Sequence, residues 1–477
     1  MTTAPALRTV HIQTLGCARN DVDSEELAAR LEAGGFALVG DPGEAETVVV
    51  NTCGFVEQAK KDSIDTLLAA ADLKESGRTR AVVAVGCMAE RYGVRLADEL
   101  PEADAVLGFD DYGLIADRLR QILDGHAPAP HVPRDRRKLL PLAPTARPAA
   151  APGVSVPGHA PLPEGLAPAS GPRAFRRRVS SGPSAPLKIA SGCDRRCAFC
   201  AIPSFRGSYL SRPVPEIVAE AEWLVTQGVR EVFLVSENSS SYGKDLAGEG
   251  RLEELLTHLS GVDGLDWIRV SYLQPAEIRP SLLEAMLGVP KVVPYFDLSF
   301  QHASRSVLRR MRRFGDPDSF LDLIGRIRAV APEAGIRSNV IAGFPGETEA
   351  DVETLRRFII DANLDVLGVF GYSDEDGTEG ETLDGHLDEA EIDARRAMLT
   401  DVALEVNESR AADRVGERAS VLVEELTDGE AVGRAPHQGP ETDGVVRLRT
   451  EAELLVGDIV EVEFIDSEGI DLIGEPR

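Results

Sequence analysis

Three cysteines stand close together in the stretch SGCDRRCAFCAIP, which covers residues 191–203. Cys193, Cys197 and Cys200 have a C-x3-C-x2-C spacing, and no further cysteine follows them. A four-iron cluster held only by protein takes four thiolates, and a structural zinc ion also takes four ligands. Three thiolates can instead hold three irons of a four-iron cluster and leave the fourth iron open to a chelating cosubstrate. The spacing therefore predicts a cluster site with one vacant position.

A structural zinc site is the alternative interpretation of these cysteines. It needs a fourth ligand nearby, but the next histidine, His258, is far along the chain in a helical pattern. The triplet also follows LKIAS, a predicted strand, and Phe199 stands directly before its last cysteine. This pattern is typical of enzymes in which a reduced cluster passes one electron to S-adenosylmethionine and releases a 5′-deoxyadenosyl radical. We therefore favour the cluster over zinc.

The other three cysteines are far apart in sequence but occupy equivalent positions. Cys17 follows HIQTLG, Cys53 follows VVVNT and Cys87 follows VVAVG, so each stands just past a predicted strand. Parallel strands bring their carboxyl ends to one edge of a sheet. A single cysteine is most often a buried, inert thiol. Three equivalent placements instead predict that these cysteines meet and form a second three-cysteine site.

The elements that must position these cysteines fall into four segments. Residues 1–125 alternate short β-branched runs with helical patterns, which predicts a parallel α/β domain. Residues 126–186 hold 14 of the 30 prolines, which predicts a disordered linker or insertion. Residues 187–408 contain six strand–helix units, which predict a parallel sheet curved into a partial (β/α)6 barrel with its chemistry at the carboxyl ends of the strands. Residues 409–477 predict a small antiparallel β-barrel, so the fold class is α/β.

Composition excludes several classes of protein. No run of about 18 apolar residues appears among the 477, so we expect no membrane span. The first residues show no basic segment followed by an apolar core, so we expect a cytoplasmic protein whose six cysteines are not paired as disulfides. The formal net charge of −28 argues against a broad nucleic-acid-binding face and permits a basic protein partner.

The motifs together resemble one family, the methylthiotransferases of the radical S-adenosylmethionine superfamily. The resemblance covers nearly the whole chain except the proline-rich segment, and its motifs are TLGCARNDVDSE, VVNTCGFVEQAKKDSID, VAVGCMAERY, SGCDRRCAFCAIPSFRG, SRP, VSENSSSYGKD and VIAGFPGET. The last segment looks like a TRAM domain. The resemblance implies two four-iron, four-sulfur clusters, a radical-generating one on the triplet and an auxiliary one on Cys17, Cys53 and Cys87. It also implies S-adenosylmethionine as cosubstrate, an electron donor and a sulfur source.

Several other residues are weaker candidates. Phe199, Glu237, Asn238, Gln301 and Gly343 stand in or beside strand-end loops and are predicted to contact the cofactor. No motif for a dedicated catalytic base is present, and breaking an unactivated C–H bond through a radical needs none.

Four further residues carry two interpretations each. His302 is predicted either to line the site or to be an ordinary histidine, and Gly346, like Gly343, either to admit the cofactor or to form a plain turn. Arg206 and Arg212 are predicted either to bind carboxylates of substrate or cofactor or to form ordinary surface pairs.

Charge helps to choose between the branches of the family, of which one modifies an adenosine in transfer RNA and the other an aspartate of the twelfth small-subunit ribosomal protein. Residues 409–477 contain 17 Asp and Glu against seven Arg and no Lys, a formal charge of −10. Such a barrel is a poor phosphate binder but suits a basic ribosomal protein. The motifs QHAS at 301–304 and GRAPHQGPETDGVV at 433–446 also look like the ribosomal-protein branch.

We therefore predict methylthiolation of the aspartate β-carbon. Transfer-RNA modification is the second hypothesis. A non-catalytic iron–sulfur carrier or docking protein is a remote third, because electron carriers normally close their clusters with four protein ligands.

Overall fold

The computed structural model describes residues 7–138, 176–246, 251–427, 430–440, 442–450 and 452–477. The chain divides into two compact units. The first unit comprises residues 1–180, 191–195 and 201–210, and the second comprises residues 181–190, 196–200 and 211–477. The first unit therefore includes two short pieces of chain from the cysteine-triplet region.

The first unit is built on a five-stranded parallel sheet with strand order β2-β1-β3-β4-β5. Its strands and helices are β1 Arg8–Thr14, α1 Ala18–Ala33, β2 Phe36–Leu38, β3 Thr47–Thr52, α2 Glu57–Ser76, β4 Ala81–Val85, α3 Gly86–Glu99, β5 Ala105–Val106, α4 Ile115–Leu123 and α5 Ile202–Arg206. The central strands β3 and β4 are buried along their whole length, because TVVVNT and AVVAV are covered on both faces as parallel strands require. The predicted parallel α/β domain is confirmed.

The prediction of a disordered linker over residues 126–186 is wrong at both ends of that segment. His131 and Arg136 are buried, and both approach the buried carboxylate of Glu90. On the far side, Arg176 is buried against Glu25 at 3.3 Å. These contacts join residues that are 41 to 151 positions apart, so local composition does not show them. Residues 139–175, the centre of the proline-rich segment, lie outside the described residues.

The second unit contains the six predicted strands of the partial barrel in chain order. Its elements before the C-terminal domain are β6 Ser184–Lys188, α6 Val214–Thr226, β9 Glu231–Val235, α7 Leu252–Ser260, β10 Trp267–Val270, α8 Pro280–Gly288, β11 Tyr295–Gln301, α9 Arg305–Arg310, α10 Pro317–Val330, β12 Gly335–Ala342, α11 Glu349–Ala362, β13 Val366–Gly371 and α12 Glu389–Asp413. Two short strands, β7 Ala190–Ser191 and β8 Leu210–Ser211, lie where the chain passes between the units.

These six strands form two parallel arcs, β6-β9-β10 and β11-β12-β13. Two isolated parallel bridges, Ile268 with Val292 and Leu273 with Leu298, connect the β10 region to the β11 region. The arrangement confirms a parallel, partial barrel. Two of the domain boundaries predicted from the sequence differ from the element bounds, since β6 begins before residue 187 and α12 continues past residue 408.

A closed five-stranded barrel ends the chain, with β14 Arg418–Thr427, β15 Glu430–Arg434, β16 Val446–Leu448, β17 Ile459–Glu468 and β18 Asp471–Pro476. Four of its strand pairs are antiparallel, as predicted, but β16 and β18 are parallel.

This barrel packs on the amino ends of the parallel strands. At the start of β9, the buried Glu231 pairs with Arg269 and with Arg434 of the barrel. Near the start of β11, the Tyr295 hydroxyl donates to Asp443 at 2.6 Å. The C-terminal barrel therefore lies at the opposite end of the sheet from the strand-end loops where chemistry is expected. No helix in the described parts of the chain is long and apolar enough to cross a membrane.

Candidate functional site

The three outer cysteines lie at the carboxyl ends of three adjacent strands. Cys17 stands directly before α1, Cys53 directly follows β3, and Cys87 is the second residue of α3, which follows β4. Because β1, β3 and β4 are neighbours in the sheet, the three thiols converge at one edge. Their proximity is visible in their electrostatics, since Cys17 and Cys53 each raise the pKa of Cys87.

Glycines beside these cysteines allow the backbone to come unusually close. Gly16 has a φ of +100°, and a Cβ there would lie 3.0 Å from the Cys53 sulfur. Gly86 has a φ of +91°, and a Cβ there would lie 2.6 Å from the Thr52 carbonyl oxygen. A side chain at either position would strain the backbone, and at Gly16 it would also crowd the Cys53 thiol. The sequence motifs G-C at both positions therefore have a steric cause.

The protein environment shifts the pKa values of these thiols in different directions. Burial raises the pKa of Cys87 to about 11, although Arg206 acts in the opposite direction. Burial also raises the pKa of Cys17, but Arg19 and Arg206 outweigh it, so that this pKa lies below the ordinary value. A cation beside a thiol favours the thiolate, which is the form that ligates iron.

Arg206, a candidate from the sequence, is part of this outer site, a position that the sequence did not predict. Its side chain is buried, and its Nη2 donates to the Cys87 sulfur at 3.0 Å and to Asn20 Oδ1 at 3.1 Å. Its Nη1 lies 3.1 Å from the buried carboxylate of Asp23, and its guanidinium stacks 4.9 Å from the Phe109 ring centre. Of the two interpretations of Arg206, an ordinary surface pair is therefore wrong.

The donor set of the outer site fits a multi-iron cluster. Three soft thiols converge beside a cation, and the Cys53 backbone is fixed because its N–H donates to Ser63 Oγ at 2.9 Å. In the described residues, no three His, Cys, Asp or Glu side chains surround the position of a single metal ion. A cluster differs from a single ion here because each thiolate binds a different iron. Cys17, Cys53 and Cys87 are therefore suited to hold the auxiliary cluster.

The central triplet spans the stretch in which the two units divide, with Cys193 in the first unit and Cys197 and Cys200 in the second. In the first unit, the Cys193 N–H donates to the Gly207 carbonyl at 3.0 Å. Gly192 has a φ of +79°, and a Cβ there would lie 2.2 Å from the Ser208 carbonyl oxygen. The backbone that carries Cys193 therefore requires glycine before it.

In the second unit, Cys197 and Cys200 belong to a tight loop, since the Cys200 N–H donates to the Cys197 carbonyl at 3.2 Å. Arg313 Nη1 lies 3.7 Å from the Cys197 sulfur. Phe199 packs against a small apolar cluster that contains Phe344 and Tyr372. Thus Phe199 has a packing role in the described structure, and its contact with a cofactor stays a prediction.

Two polar side chains at the carboxyl ends of β9 and β10 have acceptor atoms without a partner among the described residues. Asn238 is buried and donates to Ser241 Oγ at 2.9 Å, which leaves its Oδ1 without a hydrogen-bond partner. The buried Gln274, which the sequence analysis missed, likewise has an unpartnered Oε1. Buried acceptors normally find a donor. Both atoms are therefore suited to accept hydrogen bonds from the amino or hydroxyl groups of a cosubstrate, and the cofactor contact of Asn238 stays a prediction.

Backbone strain also marks this end of the sheet. Tyr272, Gln301 and Arg312 have φ values of 60°, 71° and 57°, which side-chain-bearing residues rarely adopt. Such strain is often found at functional sites. Gln301 ends β11, and Glu237 is half-buried just past β9, so both lie at the end of the sheet where the sequence placed them.

Several of the weaker candidates have a structural explanation. His302 is fully buried and shares a hydrogen bond of 3.1 Å with Glu347, so it does not line an open site. Gly343 and Gly346 have positive φ, and a Cβ on them would meet Ile392 and Arg310 respectively. These glycines are required by turn and packing, and a cofactor contact at Gly343 stays a prediction.

Arg212 is also explained within its own unit. It is buried, and its Nη1 pairs with Glu220 at 2.6 Å and donates to the Lys188 carbonyl at 2.7 Å.

Three family models match the chain. Residues 9–108 match the uncharacterized protein family UPF0004, residues 187–359 match the radical SAM superfamily, and residues 415–476 match the TRAM domain. A solved structure of the radical S-adenosylmethionine methyltransferase TsrM from Kitasatospora setae has a TM-score of 0.52 at 14% identity. It covers 76% of this chain and 73% of that chain, and at this identity it supports the fold alone.

Curated relatives are similar over the full length. The chain is 67% identical to the ribosomal protein uS12 methylthiotransferase RimO of Cutibacterium acnes, over 100% of this chain and 99% of the relative. It is 61% identical to the protein of the same name from Kineococcus radiotolerans, over 99% and 98% of the two chains. The corresponding protein of Streptomyces coelicolor is 59% identical, over 99% and 97%.

Proposed function

We propose, from the premise that this chain belongs to the RimO family of ribosomal protein uS12 methylthiotransferases, that it inserts a methylthio group at the β-carbon of an aspartate in uS12. The single observation that carries this proposal is the full-length identity to these relatives, and the six free cysteines of the chain are consistent with it. The enzyme is a radical S-adenosylmethionine transferase, and its cofactors are S-adenosylmethionine and two four-iron, four-sulfur clusters.

The proposed reaction uses two cluster sites in this chain. When bound, the clusters supply the electron that cleaves S-adenosylmethionine and the sulfur that is inserted. Cys193, Cys197 and Cys200 would hold the first cluster, and the outer cysteines would hold the second. Asn238 and Gln274 present unpartnered acceptors to the cosubstrate at the carboxyl ends of β9 and β10. No residue needs to act as a base, since a radical removes the hydrogen atom.

The acidic C-terminal barrel supports a basic protein substrate. Its formal charge of −10 favours encounter with a basic ribosomal protein and disfavours phosphate. Because the barrel packs at the amino ends of the strands, its proposed role is to tether uS12 rather than to touch the reacting aspartate. A ribosomal substrate places the proposed reaction in the cytoplasm. An electron donor and a sulfur source complete the proposed set of partners.

The test of this function is mass spectrometry of uS12 from matched cells with and without the enzyme. The proposal predicts a mass gain of one methylthio group on an aspartate, which Cys17→Ala abolishes. An unmodified aspartate together with enzyme-dependent methylthioadenosine in transfer RNA would establish the second hypothesis instead, which the relatives do not favour. The absence of S-adenosylmethionine cleavage by reduced enzyme would support a non-catalytic carrier.

The tethering role has its own test with exposed acids. Glu425→Gln, Glu468→Gln and Glu475→Gln together remove three charges from the barrel surface. Loss of attraction should raise KM for uS12 several-fold and weaken its salt dependence, with kcat unchanged. The matched control changes three exposed acids of α2, Asp65→Asn, Asp72→Asn and Glu75→Gln, which remove the same charge. Equal effects of the two triple variants would show that only net charge matters and would remove the barrel from the proposal.

A further inference from the structure

A residue from the cysteine-triplet segment completes the outer cysteine site. Arg206 is only six residues beyond Cys200, but it belongs to the first unit, where it contacts Cys87. Its side chain and that of Asp23 are 2% and 1% exposed. The N–H···S distance of 3.0 Å is short for a sulfur acceptor, so a charged donor lies in direct contact with a candidate cluster ligand.

The surroundings hold the guanidinium in this orientation. Asn20 Oδ1 accepts from the same Nη2, and the Asn20 amide in turn donates to the Leu15 carbonyl at 2.7 Å. Phe109 covers the face of the guanidinium. A planar donor with carboxylate, amide and ring contacts is preorganised, and a lysine would keep its charge but not this geometry.

We propose that Arg206 is a positioning residue for the auxiliary cluster, which fixes the Cys87 sulfur by a charged hydrogen bond and raises the reduction potential of that cluster. The proposal rests on the proposed function insofar as that function requires a cluster on the outer cysteines. Reduction adds one electron, so the reduced cluster carries more negative charge. Hydrogen bonds to its sulfurs and nearby positive charge stabilise that state. Asp23 has the opposite effect because its carboxylate offsets the charge of Arg206.

The experiment measures the reduction potential of the auxiliary cluster in the full chain. Cys193, Cys197 and Cys200 are changed to Ala so that only this cluster is present, and the protein is titrated anaerobically with dithionite and mediators while electron paramagnetic resonance is recorded. Arg206→Gln should lower the midpoint potential, with an about tenfold higher ratio of oxidised to reduced cluster at a fixed potential, or about 59 mV for one electron. Asp23→Asn should raise it.

Two further variants separate this effect from a merely structural one. Arg136→Gln is the matched control, since Arg136 is also buried and lies 5.7 Å from the Phe109 ring, but it pairs with the carboxylates of Glu90 and Asp110. It should destabilise the protein without moving the potential. Arg206→Lys should have a midpoint potential close to that of the unaltered chain, because lysine keeps the positive charge.

Opposite shifts for Arg206→Gln and Asp23→Asn, with no shift for Arg136→Gln, would establish the proposal. Shifts of the same sign, or no shift with the iron content retained, would overturn it. If Arg206→Gln binds no iron, the other two variants test the proposal. It predicts a higher midpoint potential for Asp23→Asn and a nearly unchanged midpoint potential for Arg206→Lys. If the midpoint potential shifts as predicted in these variants but uS12 is not modified by the enzyme, the proposed function is rejected and this inference still holds.

Discussion

The two cysteine sets reach the same number of ligands by opposite routes. The outer set spans residues 17–87 and is assembled only when three neighbouring strands align in register. The triplet spans residues 193–200 and is contained in a single loop. The outer site is therefore a property of a whole sheet, whereas the triplet is a property of a local sequence. The two should respond differently to changes in ligands, in backbone, in core packing and in pH.

The largest expected difference concerns the ligands themselves. Cys197→Ala should abolish both 5′-deoxyadenosine formation and methylthiolation, since both depend on the cluster held by the triplet. Cys53→Ala should abolish methylthiolation but leave 5′-deoxyadenosine formation, because it removes only the sulfur-supplying site. Both products are quantified by liquid chromatography in anaerobic assays with dithionite and uS12. Equal loss of 5′-deoxyadenosine in the two variants would mean that the sites are not separable.

Backbone changes should separate the two sites by iron content. Gly86→Ala introduces a Cβ 2.6 Å from the Thr52 carbonyl, and Gly192→Ala introduces one 2.2 Å from the Ser208 carbonyl, each at positive φ. Each variant should lose about half of the iron, because one of two equal clusters is affected. Mössbauer spectra and S-adenosylmethionine-dependent changes in paramagnetic resonance identify which cluster is lost.

Gly35→Ala is the matched control for these backbone changes. Gly35 has a φ of +82°, but open space surrounds the place of its Cβ. It should cost only the strain of the left-handed conformation and retain both clusters. Loss of iron from Gly35→Ala would attribute the effect to stability rather than to the cluster sites.

The sequence predicted the residues that stand on regular elements. All six strands of the partial barrel and the positions of the outer cysteines follow from hydrophobic runs and strand ends, because these are local patterns. The parallel pairing of β16 and β18 did not follow, since period-two alternation does not reveal strand direction.

Contacts between residues that are remote in sequence were not predicted. Arg206 pairs with Asp23, and Arg176 with Glu25, across more than 150 positions. Burial of such a charge is decided by its partner, which no local window contains. The one available signal was the placement of a single Arg beside Phe205 in the apolar run AIPSF. No such signal was available for Gln274. It is a candidate only because the folded structure leaves its side-chain oxygen without a hydrogen-bond partner.

A core change in the triplet segment should destabilise the unit that contains the outer cysteines. Phe205 belongs to the core of the first unit together with Phe109, Tyr112 and Leu119. Phe205→Ala should lower the free energy of unfolding by about 3 kcal/mol, because it removes a buried ring. Circular dichroism during urea unfolding of the apoprotein measures this loss.

The tryptophans provide the control for that change. Both Trp223 and Trp267 belong to the second unit, so their fluorescence reports on that unit. Phe205→Ala should leave the fluorescence transition unchanged, and Phe314→Ala should leave both transitions unchanged because Phe314 is 77% exposed. A fluorescence shift in Phe205→Ala would show that the two units unfold together.

The smallest expected difference is the response of the second unit to acid. Burial alone would raise the pKa of Glu231, but Arg269 and Arg434 lower it to about 2. A depressed carboxyl pKa stabilises the folded state above the ordinary pKa near 4.5, and this contribution is lost as the pH falls toward 2. At pH 3 the fluorescence-detected stability of the apoprotein should have lost about 2 kcal/mol from this residue.

Glu231→Gln tests the origin of that loss. The variant should be less stable at pH 7, since it leaves two buried arginines without their shared carboxylate. Its stability should also change less between pH 5 and pH 3 than that of the unaltered chain. An equal pH slope in both proteins would assign the acid response to other carboxylates.

The most direct test of two separate three-cysteine sites is the iron content per chain after anaerobic reconstitution. The account predicts about eight irons in the unaltered protein, in agreement with two four-iron clusters. It predicts about four irons when Cys17, Cys53 and Cys87 are all changed to Ala, and about four when Cys193, Cys197 and Cys200 are changed. About four irons in the unaltered protein, with none left in one of the triple variants, would contradict it.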